Sequence, residues 1–338
     1  MKNVLLLLPV IFLSCAGTPS MRAPAWVSDV DSVYSRTRYV AAVGYGQDRG
    51  AAERNALAAV AAFFGQTVRI ERSAVSSYQQ AIIDGVIDGW IDTAEMRSNI
   101  RTTADMENLM GVEIAEVWFN SKDTYYAVAI MDKTKALQIY TELIQANLNV
   151  IKNLLAMTQD EKQSLGGVIR YRFAAIAADI NAYYRNIVII LDGTVPDMVI
   201  GGEYYRLEAQ NIIKTIPVNI RVTNDRNGRI FGAFAKSFTD LGFEASVGSS
   251  RYMLNADVNM SPVDLPNNPN IFLRIILACA LVDTRENLVL LPYNFNSREG
   301  HITRSEAEIR AITVLERNIN EEFSSLLSEY LSALLPKN

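Results

Sequence analysis

Hydrophobic and polar positions follow two different periods along the chain. Short runs such as 111–118 and 124–131 alternate apolar and polar residues, which is the pattern of half-buried β-strands. From Thr134 onward, apolar residues recur every three or four positions, as they do in amphipathic helices. Alternation returns at 217–222, one more helix is predicted at 229–241, and further strands follow until a last helical stretch begins near Ser305. The pattern therefore predicts an α+β protein.

The predicted elements group into two small α/β-sandwich domains, with mixed or antiparallel sheets and packed helices, joined by a long antiparallel helical hairpin. Thr158–Glu161 has the sequence of a capping box and is predicted to open the second helix of this hairpin, which Gly166-Gly167 would soften or kink. The predicted segments are a lipoprotein signal peptide (1–14), a lipidated tether (15–25), an α+β domain (26–133), the hairpin (134–191), a linker with a short helix (192–216) and a second α+β domain with a long C-terminal helix (217–338).

The N-terminus has the layout of a secretory signal. Lys2 supplies the positive charge, and Val4–Leu13 is an apolar run of about ten residues, too short for a membrane span of about 20. The run ends at Ser14-Cys15, which resembles a bacterial lipobox. This resemblance implies that Cys15 is diacylated and becomes the mature N-terminus, which anchors the chain durably. The alternative is an ordinary signal cleaved after Ala16 or Gly17.

Composition excludes several classes of site. The chain has 338 residues, a formal net charge of −5, one His and two Cys. The negative charge argues against bulk attraction to nucleic acid. A Ser-His-Asp or Cys-His site would have to use His301, and a structural zinc site needs four N or S ligands. We therefore expect no catalytic residue, no metal and no cofactor. Hydrolysis by carboxylates alone stays open as a third hypothesis.

The scarce cysteine and histidine residues have predicted positions. With Cys15 bound to lipid, Cys279 has no partner for an intramolecular disulfide. Its apolar surroundings in 271–282 predict a buried, inert thiol. His301 directly precedes the last helix and is predicted to lie in a surface loop. Neither Cys279 nor His301 is therefore expected to take part in chemistry.

A glycine-containing segment invites a dinucleotide-binding interpretation. Gly44, Gly46 and Gly50 follow a short β-prone run and precede the Ala-rich segment 51–64. Their spacing is one residue longer than that of the dinucleotide-binding fingerprint, and alternating βαβ units do not follow. The glycines instead predict a tight strand-to-helix turn, and the alanines predict a helix that lies close to a sheet.

The same region resembles a known family. Pro24-Ala-Trp26, the run Tyr39–Gly46 and the helix 51–62 resemble the twenty-kilodalton outer-membrane lipoprotein family over about residues 24–135. That family includes flagellum-associated lipoproteins and has no known catalytic activity. The resemblance implies an envelope lipoprotein without an active site.

A four-residue repeat at 83–92 places three carboxylates on one face of a predicted helix, those of Asp84, Asp88 and Asp92. Such a face could meet a cation or a basic partner, but the residues lack the spacing of a calcium-binding loop. The alternative is a solvated helix face. We keep the three residues as candidate partner-facing or cation-facing carboxylates.

The last third of the chain has the element order βα-ββ-ββ-α. Its second strand is predicted at Phe243–Val247 and its last strand at Leu288–Phe295. The final helix has a predicted apolar stripe consisting of Ile312, Leu315, Ile319, Phe323, Leu326, Tyr330 and Leu334. Through Gly242-Phe-Glu and the helix start at Arg304–Ala311, the topology resembles small periplasmic domains. These are found in curli-secretion lipoproteins, at the N-terminus of the Tol–Pal β-propeller protein and in the middle of flagellar T-ring proteins.

These observations lead to one principal functional hypothesis. The chain is predicted to be a non-enzymatic lipoprotein of the outer membrane, facing the periplasm and bound to the membrane by its N-terminal lipid. The location follows from the sorting rule of enterobacteria, because no Asp follows Cys15. It would bind another envelope protein or itself through sheet edges and helix faces. The alternative is a ligand-binding lipoprotein with a pocket for lipid or peptidoglycan fragments between its two domains.

Overall fold

The computed structural model describes residues 22–64, 109–120, 122–195, 200–225, 227–266 and 268–334. Its helices and its two sheets, one antiparallel and one mixed, confirm the predicted α+β class. Contacts divide the chain between Ala136 and Leu137 into an N-terminal and a C-terminal unit. Because the helical pair follows that division, it belongs to the same compact unit as the second sheet.

The N-terminal unit contains an antiparallel sheet of order β1-β3-β2 and the helix α2. Its elements are α1 (Ala25–Ser28), a 3₁₀ turn (Val30–Ser32), β1 (Tyr39–Gly46), α2 (Arg49–Phe64), β2 (Val112–Phe119) and β3 (Tyr125–Asp132). The side chain of Asn120 accepts hydrogen bonds from the three following described amides, of Lys122, Asp123 and Thr124. This local bonding shapes the β2–β3 hairpin turn.

Helix α2 lies against one face of this sheet at close range. Its buried side chains are Ala52, Ala56, Val60 and Phe64. A Cβ atom added at Gly44 would overlap the backbone of Ala52 and Ala56. The predicted close helix-to-sheet packing is thus confirmed, and glycine is required at this position because no side chain fits there.

The other face of the N-terminal sheet is covered by Trp26, which is 2% exposed and packs with Val128 and Ile130. Its indole Nε1 donates a hydrogen bond of 2.8 Å to Glu116 Oε2. Regular alternation would place Glu116 on the same face as Ile114, but a β-bulge between these two residues shifts the register. The bulge therefore directs the Glu116 carboxylate toward the indole.

The helical pair consists of α3 (Lys133–Leu155), a single turn α4 (Gln159–Lys162) and α5 (Leu165–Ile190). Contacts between α3 and α5 run in antiparallel order: the rings of Tyr140 and Tyr184 lie 5.6 Å apart, and Asn181 Nδ2 donates to the carbonyl of Ile144. The predicted hairpin geometry therefore matches the structure.

The junction between α4 and α5 corrects one expectation. The capping box at Thr158 is present, but it opens only the four-residue α4. Helix α5 starts anew at Ser164, whose hydroxyl accepts a hydrogen bond of 3.1 Å from the amide of Gly167. A Cβ at Gly167 would overlap the carbonyl oxygens of Glu161 and Lys162. Gly167 thus permits close approach of two turns, and does not kink α5.

The C-terminal sheet is mixed and has the order β5-β4-β6-β7-β8, with β4 parallel to both of its neighbours. The elements of this part are α6 (Gly202–Ile213), β4 (Val218–Thr223), α7 (Arg229–Asp240), β5 (Ala245–Ser246), β6 (Tyr252–Val263), β7 (Ile271–Asp283), β8 (Leu288–His301), α8 (Arg304–Asn318), a π-helical turn (Ile319–Phe323) and α9 (Ser324–Ser332). Phe323 is fully buried, and its ring contacts those of Phe234 and Tyr293 at 4.9 and 5.4 Å.

The stripe predicted for the final helix is confirmed in part, because Leu315, Ile319 and Phe323 are fully buried. The buried side chains of this helix are spaced by four residues throughout: Ala307, Ala311, Leu315, Ile319, Phe323, Leu327 and Leu331. The predicted members Ile312, Leu326, Tyr330 and Leu334 are only partly buried. The π turn has more residues per turn than an α-helix, so it offsets part of the angular drift of a four-residue spacing and keeps these side chains buried.

Candidate functional site

The structure describes two of the residues that the sequence analysis singled out. Cys279 is buried in β7, and this burial raises the pKa of its thiol to about 12, in agreement with the predicted inert residue. His301 is the last residue of β8, which runs six residues beyond its predicted end at Phe295, so the predicted loop position is wrong. Its Nδ1 lies 2.6 Å from Glu306 Oε2.

The remaining predicted site residues, Cys15, Asp84, Asp88 and Asp92, lie outside the described residues, and their roles stay predictions. Within the described ranges, no group of three His, Cys, Asp or Glu side chains is placed to hold a metal ion. Among the helices in the same ranges, none combines the length and apolar character needed to cross a bilayer.

A recess of about 370 Å³ opens beside β4 in the C-terminal unit. It lies within that one unit, so it does not test the pocket predicted between the two domains. The recess is lined by four consecutive β4 residues (219–222), by the start of α7 and by the segment after β5. Its remaining lining residues are Asp225, Gly228, Phe231, Val247, Gly248 and Met253.

The recess exists because β5 is only two residues long, which is much shorter than the predicted strand. The sequence predicts a strand over 243–247, but only Ala245 and Ser246 pair with β4. Val247 is 83% exposed, and Gly248 has a φ of +139°, a conformation that residues other than glycine rarely adopt. The chain therefore leaves the sheet after two residues and leaves the rest of this side of β4 uncovered.

Among the described residues, the backbone of β4 is consequently unpaired along part of its length. The amide of Val218 donates a hydrogen bond of 2.9 Å to the carbonyl of Glu244, which shows that Val218 directs its backbone groups toward β5. In a strand, every second residue directs its backbone groups to the same side. Val222 therefore directs its N–H and C=O toward the recess, beyond the last β4–β5 pair at Asn219 and Ser246.

Two polar side chains in the recess have unused donors. Asn219 is 4% exposed, and its Oδ1 accepts a hydrogen bond from Ser246. In the part of the chain that the structure describes, Asn219 Nδ2 has no hydrogen-bond partner and Arg221 has no ion pair. A Cβ built on Gly248 would lie 3.9 Å from Asn219 Nδ2, so this amide faces the wall of the recess.

The N-terminus of α7 forms the opposite side of the recess. Gly228, with a φ of +66°, precedes the helix and offers no side chain to cap it. The carboxylate of Asp225 accepts a hydrogen bond of 2.8 Å from the amide of Phe231 and so occupies this helix end. The recess thus combines donors on the β4 side with an internally neutralised helix terminus.

The sequence analysis missed this site because it extended β5 to Val247. One signal was available: Gly248-Ser-Ser250 directly follows the short β-prone run, and such a cluster ends strands. The place at which a strand leaves its sheet also depends on long-range packing, which the local pattern does not report.

Comparison with protein-family models and with curated proteins finds no match. Among solved structures, a secreted protein of Helicobacter pylori is 13% identical, with a TM-score of 0.41, over 83% of this chain and 96% of the other. A putative lipoprotein of Caulobacter crescentus CB15 is 16% identical, with a TM-score of 0.24, over 35% and 89%. A minor lipoprotein of Acinetobacter baumannii is 14% identical, with a TM-score of 0.24, over 36% and 97%. These neighbours are thus secreted proteins or lipoproteins of bacteria, and their low TM-scores transfer no function to this chain.

Proposed function

We propose that the chain is a non-enzymatic, lipid-anchored envelope protein that acts as a protein-interaction module. The anchor is the lipid on Cys15, and the module faces the periplasm from the outer membrane. Support for the anchor is the apolar run Val4–Leu13 that ends directly at Ser14-Cys15, as in a bacterial lipobox. The resemblance of residues 24–135 to outer-membrane lipoproteins favours a flagellar or secretion-associated structure as the setting.

The observation that carries the interaction role is the uncovered length of β4. Proteins normally protect sheet edges because unpaired strand backbone pairs readily with other chains. Here β5 ends at Ser246 and leaves a recess of about 370 Å³ instead. A recess bordered by free strand backbone is suited to binding another polypeptide. The partner is another envelope protein or a second copy of the chain.

The anchor is tested by labelling cells with radioactive palmitate. The chain contains two cysteines, so Cys15→Ala and Cys279→Ala form a matched pair. We expect label in the wild type and in Cys279→Ala, and none in Cys15→Ala. Equal label in Cys15→Ala, or no label in the wild type, would overturn the anchor.

The interaction role is tested by placing a photoreactive amino acid at Val247, beside the recess, in living cells. The control position is Ile309 on α8, which is also exposed, at 57% against 83% for Val247. We expect a discrete crosslinked polypeptide from Val247 and not from Ile309. If Val247 yields no polypeptide product, or both positions yield the same one, the recess is not an interaction site.

A further inference from the structure

The recess beside β4 has the layout of a missing strand. Its lining residues come from both faces of β4: Ile220 is buried, whereas the next residue, Arg221, is exposed on the opposite face. We infer that the recess binds an extended peptide segment of a partner protein, which pairs with the β4 backbone and places a carboxylate against Arg221 and Asn219. This inference rests on the interaction role proposed above and names the chemistry of the partner.

The length of free strand sets the size of the bound segment. β5 already pairs with Val218 and Asn219, and the remaining β4 residues are 220–223. Four residues of strand span about 13 Å, so they accommodate about three or four residues of a partner strand. In this mode, main-chain hydrogen bonds supply affinity and the alternating side chains supply specificity.

The donors on β4 select for a carboxylate. Asn219 and Arg221 are two residues apart, so their side chains lie on the same face of the strand. Asn219 is 4% exposed. Within the described ranges, its Nδ2 donates to no acceptor, and Arg221 has no ion pair. A carboxylate that binds on this face can accept hydrogen bonds from both residues at once, and the bonds to the charged guanidinium of Arg221 are the stronger ones.

Asp225 determines on which side of the recess this carboxylate binds. Its own carboxylate already accepts the amide of Phe231 at the start of α7. A second carboxylate there would be repelled, so the acidic group of the peptide belongs on the Arg221 side. On the α7 side the recess is lined by Phe231, and Val222 of β4 adds a second apolar side chain to the lining. The favoured segment therefore alternates an acidic residue with an apolar one.

A displayed random-heptapeptide library tests the inference on the full-length chain in detergent micelles. One arm displays the heptapeptides with a free C-terminus, and the other follows them with a fixed Gly-Ser tail. Enrichment in the first arm alone assigns the carboxylate to a chain terminus, and enrichment of Asp or Glu in both arms assigns it to a side chain. Enrichment in neither arm, or enrichment in the tailed arm of sequences without Asp or Glu, would overturn the inference.

The best peptide from the library is then synthesised and its affinity is measured by fluorescence anisotropy. We expect Arg221→Gln to weaken binding about tenfold or more, because a charge-assisted hydrogen bond is lost. The matched control is Arg274→Gln, an exposed arginine on the same sheet face in β7 that does not line the recess. Equal losses in the two variants would contradict a specific contact with Arg221.

Backbone pairing is tested separately with the same peptide N-methylated at alternate residues. Methylation removes main-chain donors while it keeps the side chains, so we expect binding to be lost in one of the two methylation registers. Unchanged binding in both registers would exclude strand addition. If Val247 crosslinks in cells but no peptide binds, the interaction role stands and the peptide inference fails. If a peptide binds in vitro but Val247 gives no crosslink in cells, the proposed cellular role fails, and with it the assignment of the peptide to a partner protein.

Discussion

The two sheets differ in how completely their strands are paired. In the N-terminal unit, β1 and β3 pair without interruption from Tyr39–Asp132 to Gly46–Tyr125, over the whole of both strands. In the C-terminal unit, the β4–β5 ladder contains only two pairs. The comparison teaches that burial of side chains and pairing of backbone are separate requirements. β4 is well buried at Val218 and Ile220, yet its backbone is still open on one side.

The difference also separates structural glycines from the glycine at the recess. Gly44 is needed because α2 packs directly on its Cα, and any side chain would collide with helix backbone. An added Cβ at Gly248 would meet only Asn219 Nδ2, at an ordinary contact distance of 3.9 Å, but the φ of +139° makes glycine necessary for the direction in which the chain leaves β5. Gly44 thus permits a helix to pack closely on a sheet, whereas Gly248 permits the chain to leave one.

The largest expected effect is the loss of the closed N-terminal packing. Gly44→Val would place a branched side chain inside the backbone of α2, and we expect a loss of about 3 kcal/mol or more in unfolding free energy. Denaturant unfolding followed by tryptophan fluorescence measures it, since Trp26 and Trp118 lie in this unit. The control Gly232→Ala, with no neighbour within 4 Å of its Cβ, should stabilise α7 slightly. Equal effects would refute the close packing.

The next largest effect concerns the helix-covered face of the C-terminal sheet, which we expect to exclude solvent and reagents from Cys279 in spite of the recess beside β4. Burial raises the pKa of Cys279 from 9.0 to about 12, so its reactive thiolate is rare at pH 8. In a Cys15→Ala chain, we expect a thiol reagent to modify Cys279 at least about a hundredfold more slowly in the native than in the denatured state. Rapid modification of the native protein would show that this face is accessible.

A smaller effect concerns the carboxylate of Glu116, on the face of the N-terminal sheet that Trp26 covers. Trp26 and Tyr34 both donate to Glu116, at 2.8 and 2.9 Å. We expect Glu116→Gln to cost about 1 kcal/mol, because two hydrogen bonds to a charged acceptor are replaced by weaker ones. Glu113→Gln on the same strand is the control and should be nearly neutral. The same unfolding assay compares the two variants, and similar losses would refute a special role for Glu116.

Tyr34 gives this cluster a pH dependence. Burial, followed by the bond to Glu116, raises the pKa of Tyr34 from 10.0 to about 12. The folded state therefore keeps a proton that the unfolded state loses, and this stabilisation falls as pH rises from 10 to 12. We expect Tyr34→Phe to flatten the decline of stability over this window, whereas Tyr45→Phe, at an exposed position, should not. Identical pH profiles would contradict the prediction.

The smallest expected effect is on the recess itself. Arg221 is exposed and, among the described residues, has no ion pair, so Arg221→Gln should change unfolding free energy by less than about 0.5 kcal/mol. Circular dichroism during denaturation measures the change. A loss of more than about 1 kcal/mol, which is the usual net contribution of one hydrogen bond, would mean that Arg221 stabilises the fold rather than binds a partner.

Local pattern predicted most of the elements but not their ends. Helical periodicity located α3 and α5, and alternation located β4, because the period of side-chain burial is a local property. The end of β5 at Ser246 and the extension of β8 to His301 were missed. Both depend on whether a neighbouring strand continues, which is a long-range matter.

The sequence by itself determined the α+β class, the close packing of the Ala-rich helix on its sheet and the burial of Cys279, since each follows from residue type and spacing. Only the tertiary structure decided that a bulge directs Glu116 toward Trp26, that the buried face of the last helix continues through Leu327 and Leu331 after a π turn, and that β5 stops after two residues. In each of these cases, one inserted residue or one lost strand pair changes which side of the backbone faces another element. That element is far away along the chain, so a local pattern of residues does not report the change.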